Sequence, residues 1–183
     1  MIIVSGPSGA GKGTLIQRML KEFPFLRAAT SATTRPMRPG EQNGREYHFL
    51  SEDAFLAHVA DGNFLEHVVY AGNRYGTLRE EVERHLREGD SVVLEIELRG
   101  ARAMRDTLPD AVSVFIEPPS LDELVRRLRA RETEEEAQIQ ARLAESLVEL
   151  GASQEFNYQI RNDDLEVASA ELARIVDAVT RSE

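Results

Sequence analysis

The first residues able to do chemistry are Gly6-Pro7-Ser8-Gly9-Ala10-Gly11-Lys12-Gly13-Thr14. Glycines at this density let successive backbone N–H groups converge on one anion, and a helix opening behind them adds positive potential. A lysine at the helix start reaches the β and γ oxygens of a nucleoside triphosphate. The segment reads as a phosphate-binding loop because the apolar run before it suits a strand and the residues after it suit a helix. The strict pattern puts Ser or Thr directly after the lysine, whereas here Gly13 intervenes before Thr14. Contact with magnesium through water, with Thr14 and Glu95 as the candidates, suits that spacing better than direct ligation.

A second group follows in Ser31-Ala-Thr-Thr-Arg35-Pro36-Met-Arg38-Pro39 and continues to Tyr47. Each proline biases the arginine before it towards extended geometry, so Arg35 and Arg38 sit on a stiff, non-helical loop. Two preset guanidinium forks and a tyrosine hydroxyl suit a second phosphate, although the stretch alone also reads as a surface turn with solvated arginines. Glu66 shares a strand face with Phe64 and Val68; from its strand alone it reads as solvent-facing, and on a covered face it would need a partner. Glu95 and Glu97 occupy one face at the end of a buried strand, where open α/β sheets bind ligands, or they are paired structural acids. Arg127 and Arg131 are four apart, a repulsive spacing on a helix unless both face an anion, and the run Arg126 to Glu136 also reads as a solvated face. The four histidines show no ligand spacing and are read as structural.

The elements that must position these groups alternate. Strands are expected at Met1 to Val4, Val92 to Ile96 and Val112 to Ile116, with helices from about Lys12 to Glu22 and after Asp164. Thr77 to Glu80, Ser120 to Glu123 and Thr133 to Glu136 each fit a capping box, and Gly89 suits the end of the first of these helices. That alternation predicts an α/β fold with an open parallel sheet flanked by helices. From Ala28 to about Tyr75, Pro36, Pro39, the Asn43-Gly44 turn and alternating segments predict a small β-rich insertion. From about Arg126 to Leu150 the composition predicts a helical, mobile flap.

The chain has 183 residues and a formal charge of -10, which repels nucleic acid and anionic lipid at long range, so a polyanionic ligand needs local basic clusters. Twenty of its 22 basic residues are arginines, the side chain suited to bidentate phosphate contacts. The absence of cysteine excludes disulfides and thiolate chemistry. A mean hydropathy of -0.36 and the lack of a long apolar run predict no membrane span, and the start of the chain does not read as a signal peptide, so a soluble, cytoplasmic protein is expected.

Taken together, the Lys12 loop and the Ser31 to Phe49 segment resemble guanylate kinase. The similarity continues through Glu66, Gly72-Asn-Arg-Tyr75-Gly-Thr77, Leu94-Glu95-Ile-Glu97, Pro118-Pro-Ser120 and Asn162-Asp-Asp164 in the expected order. The resemblance implies a P-loop NTPase-type fold in one domain: a core of about 1–30, 78–125 and 151–183, a GMP-binding insertion of about 31–77 and a lid of about 126–150. It implies that the loop from Gly6 to Thr14, with Arg127 and Asn162, binds ATP. Arg35, Arg38, Tyr47 and Tyr75 would hold the GMP phosphate, Ser31, Glu66, Thr77 and Glu97 would line the guanine pocket, and Arg131 and Arg142 would close over the transferring group. Lys12, Arg35, Arg38, Arg131 and Arg142 would be catalytic, with Mg²⁺ as cofactor, ATP and GMP as substrates, no nucleic acid or membrane, and no protein partner required. Glu97 stands where the family more often has Asp, Arg99 replaces a customary Gln, and Glu132 a customary Gly. The implied reaction is ATP to GMP phosphoryl transfer. The rivals are a non-catalytic module of this fold binding phosphopeptides, and a kinase of this fold with another phosphorylated acceptor.

Overall fold

A computed structural model of the chain describes residues 1–70, 72–129 and 136–181. In chain order its elements are β1 (Ile2–Ser5), α1 (Lys12–Glu22), β2 (Leu26–Ala28), β3 (Ala32–Thr33), β4 (His48–Phe49), α2 (Glu52–Ala60), β5 (Phe64–Tyr70) and β6 (Asn73–Leu78). There follow α3 (Arg79–Arg87), β7 (Ser91–Glu95), α4 (Leu98–Thr107), β8 (Val112–Glu117), α5 (Leu121–Arg129), α6 (Glu136–Gly151), β9 (Tyr158–Arg161) and α7 (Leu165–Thr180).

Five strands form an all-parallel sheet in the order β2-β7-β1-β8-β9. Parallel neighbours need crossover connections, which lay helices on both faces and bury the strands twice over. This is why β1 is apolar without alternation: Ile2 and Val4 pack with Leu15 and Met19 of α1 and Leu172 of α7, while Ile3 points the other way towards Leu94, Met104 and Phe115. The winding direction reverses at β1, which pairs with β7 on one side and β8 on the other. Ligands in such sheets bind outside the strand C-termini at this switch point, and the Gly6 to Gly13 loop leaves β1 there.

A second, mixed sheet runs β4-β3-β6-β5, with β3 parallel to β4 and antiparallel to β6. It has its own small core, in which Phe55 and Phe64 stack with centroids 4.4 Å apart. Phe55 comes from α2, a helix that the β-rich expectation left out. Its start was written in the sequence: the Ser51 hydroxyl accepts from Ala54 N at 3.2 Å, and Glu52 and Asp53 favour the helix N-terminus. β2 and β9 also go beyond the expected strands, because each is short and only partly buried.

The three capping boxes fare differently. Ser120 accepts from Glu123 N at 3.1 Å as expected. Thr77 does not cap α3: it lies on β6, its hydroxyl donates to Glu66, and the cap position is Leu78. On β6 the Thr77 side chain is turned to the buried Glu66, one residue ahead of the cap position, so its oxygen is not presented to the first amides of α3. Most of Thr133 to Glu136 lies outside the described residues. Among the described residues, no helix is long and apolar enough to cross a membrane.

Candidate active site

The glycine-rich loop is braced from three directions. Lys12 Nζ donates to its own loop carbonyls, Gly6 O at 2.6 Å and Pro7 O at 3.1 Å. Asn162, buried in the turn between β9 and α7, donates from Nδ2 to Ala10 O at 2.8 Å. Arg127 of α5 donates from Nη1 to Gly9 O at 3.1 Å and from Nε to Glu123 at 2.7 Å. Gly11 is required here: its φ of 94° is left-handed, and a Cβ would collide with the Asn162 amide. Gly9, Gly11 and Thr14 line a cavity of about 430 Å³ with Arg127 and Asn162.

The loop also opens into a cavity of about 330 Å³ whose other wall is the insertion: Arg35, Arg38, Glu41, Tyr47, Tyr70 and Tyr75. Arg35 is held there. Its Nη2 donates to both Glu41 oxygens, at 2.8 and 3.1 Å, and its guanidinium lies 5.5 Å from the Tyr47 ring centre. Glu41 also accepts from Arg38 N at 2.7 Å, and hydrogen bonding from Arg35 holds its carboxyl below the usual range. Burial, with Glu95 and Tyr75 adding to it, pushes the Tyr47 hydroxyl up to about 12, so it remains a donor. Glu41 had no assigned role in the sequence reading, because a bond across six residues of irregular loop leaves no periodic signal.

Glu66 is not solvent-facing, as its strand alone suggested. β5 keeps Phe64, Glu66 and Tyr70 buried on one face, and α4 packs against the strand. Glu66 is 6% exposed, accepts from Thr77 Oγ1 at 2.8 Å, and burial raises its pKa. Glu97 lines the shared cavity with Glu149 of α6. Burial first, then Glu149, pushes its carboxyl up to about 8 against the opposing pull of Lys12. A carboxyl kept neutral does not repel phosphates beside it.

Several expected residues stand apart from this cavity. Ser31 opens on an adjoining cavity of about 550 Å³ that shares Gly13, Tyr47 and Glu95 with the first. Arg131 lies outside the described residues, and so does the side chain of Arg142 on α6. Of the histidines, His85 comes together with Glu88 and Asp90, one donor atom each within 4.8 Å, but Arg27 already holds Asp90 at 3.1 Å. The donors near the loop suit magnesium better: a Cβ on Gly13 would stand 3.5 Å from Glu95 Oε2, so the carboxylate hangs beside the exposed Thr14 on the first turn of α1. Oxygen ligands of this kind, supplemented by water and phosphate, fit the ion's preference.

The guanylate kinase family model matches residues 1–179. The chain is 51% identical over 176 residues to a guanylate kinase of Rubrobacter xylanophilus, covering 96% of this chain and 92% of the relative. It is 47% identical over 178 residues to one of Alcanivorax borkumensis, covering 97% and 86%. Among solved structures, guanylate kinase from Anaplasma phagocytophilum superposes with a TM-score of 0.79 at 30% identity, over 97% of this chain and 84% of that one. A shikimate kinase from Bacteroides thetaiotaomicron, covering 96% of this chain and 97% of that one at 18% identity and a TM-score of 0.51, shares the fold alone. A family model over residues 1–179 and relatives at about half identity over nearly the whole chain agree, and the chain belongs to the guanylate kinase family.

Proposed function

We propose that this protein transfers the γ-phosphoryl group of ATP to GMP, reversibly, giving ADP and GDP. The observation that carries the reading is the single cavity onto which both Lys12 with its loop and Arg35, Arg38, Tyr47 and Tyr75 open. Two phosphate grips facing one another suit a reaction between two nucleotides, and neither a one-nucleotide hydrolase nor a passive module needs both.

The GMP phosphate is already an oxyanion, so the work is alignment and charge neutralisation with little general-base chemistry. Lys12 leaves its loop carbonyls for the β and γ oxygens of ATP. Arg35 and Arg38, with Tyr47 and Tyr75, orient and neutralise the acceptor phosphate. Glu66 accepts guanine N1–H and N2–H, with Thr77, Ser31 and Glu97 completing the pocket. Arg131 and Arg142, with Arg127, close over the transferring group. Thr14 and Glu95 would hold Mg²⁺ through water, and the ion would supply positive charge to the transferring phosphate. Asn162 serves the ATP side by fixing Ala10 in the loop. Closure of insertion and lid excludes water, the competing nucleophile. The cytoplasmic location expected from the sequence belongs to the same proposal.

The test is turnover of purified protein with ATP and Mg²⁺ against GMP, AMP, UMP and non-nucleotide phosphomonoesters. GMP is expected to be preferred over AMP by a factor on the order of 10⁴, since adenine leaves the Glu66 acceptor unpaired. A preference for another acceptor, or phosphopeptide binding without any turnover, would overturn the reading.

A further inference from the structure

We propose that Gly100 is a positioning residue for guanine selectivity: it lets the first turn of α4 press on the Glu66 carboxylate and lock it in the base-accepting orientation. The inference rests on the guanine-binding role proposed for Glu66 and goes beyond it by naming what holds that side chain.

Gly100 is buried, and its backbone needs no left-handed φ. Conformational freedom therefore does not explain a glycine here. Within a helix glycine is the worst residue after proline, so a glycine at this position has to be justified by contact. The contact is specific. A Cβ on Gly100 would stand 2.7 Å from Glu66 Oε2 and 3.2 Å from its Cδ, so the carboxylate would have to give way. The opposite oxygen, Oε1, is pinned by the Thr77 hydroxyl at 2.8 Å. Helix backbone beside Oε2 and the Thr77 hydroxyl on Oε1 thus hold the carboxylate by both its oxygens. α4 and β5 pack against each other, so the clamp joins the insertion to the helix that follows β7. Preset geometry of this kind is what converts a hydrogen-bond pair into discrimination between bases.

The clamp predicts a divided outcome for Gly100→Ala. The added methyl forces Oε2 away and costs one hydrogen bond to guanine. At the strength of a bond to a charged group, KM for GMP rises by roughly 10- to 150-fold, and GMP/AMP discrimination falls in step. KM for ATP stays within about twofold of wild type, because Gly100 does not line the cavity shared with the glycine-rich loop. In a Glu66→Ala background there is no carboxylate to displace, so adding Gly100→Ala changes KM for GMP by less than about twofold. Unchanged GMP affinity in Gly100→Ala, an equal loss for ATP, or the same loss in the Glu66→Ala background would each overturn the inference. Wild-type turnover of GMP decides the underlying reading separately. Should that reading fail, titration of the Glu66 carboxyl by NMR in the free protein still tests the clamp: it is expected to move in Gly100→Ala, and identical curves would refute it.

Discussion

Replacing Glu97 by Gln should remove a pH dependence of stability that this one carboxyl imposes. Its folded-state pKa stands near 8 against an ordinary value of 4.5, raised by burial and by Glu149. Between those two values the folded protein keeps a proton that the unfolded chain has released. Stability therefore falls as pH rises through that window, by at most about 1.4 kcal/mol per pH unit. Summed from 4.5 to about 8, the ceiling is about 5 kcal/mol, a large share of what holds a domain of this size together. Gln stays neutral throughout. Wild type and Glu97→Gln should thus have similar stability near pH 5, and the variant should pull ahead progressively until the difference levels off above pH 8. Urea unfolding of the ligand-free protein at half-unit steps from pH 5 to 9 measures it, and the difference curve isolates Glu97 from other titrating groups. A flat difference curve, or one in which the wild type gains on the variant as pH rises, would refute the account of Glu97 as a proton-holding carboxyl.

Lys12→Ala is expected to reduce phosphoryl transfer to background while leaving the circular dichroism spectrum intact, because among the described residues Lys12 Nζ bonds only to carbonyls of its own loop. Glu66→Gln replaces an acceptor that can take both guanine donors, and GMP/AMP discrimination should fall at least about tenfold in competition assays. Unaltered discrimination would take away the basis for guanine. Asn162→Ala leaves Ala10 O without its buried donor, a loss of about 1–3 kcal/mol in denaturant unfolding together with a raised KM for ATP. Full stability and normal ATP affinity in that variant would show that the loop does not depend on this brace.

Much of the architecture was legible because its causes are local. β1 and the loop behind it are announced by four apolar residues and a run of glycines, and α1 occupies the expected Lys12–Glu22. α2 was legible too, through Ser51 and its acidic first turn, but the prolines and the Asn43-Gly44 turn nearby drew the reading towards strands. Gly100 carried a signal as well, a lone glycine in a helical pattern, which points to a close approach without saying to what.

The sequence by itself determined the glycine-rich loop behind β1 and the proline-flanked arginine pair, since both depend on neighbours a few positions away. Only the tertiary structure decided that both open on one cavity, that Thr77 serves Glu66 instead of capping α3, and that Glu97 holds its proton. Spacing encodes which face a side chain takes, but burial and hydrogen-bond partners come from segments far off in the chain. Asn162 meets Ala10 across 152 residues, and α4 reaches Glu66 only because the parallel sheet carries β7 back beside β1. Desolvation is a property of that assembly, and so are the protonation states and the selectivity that follow from it.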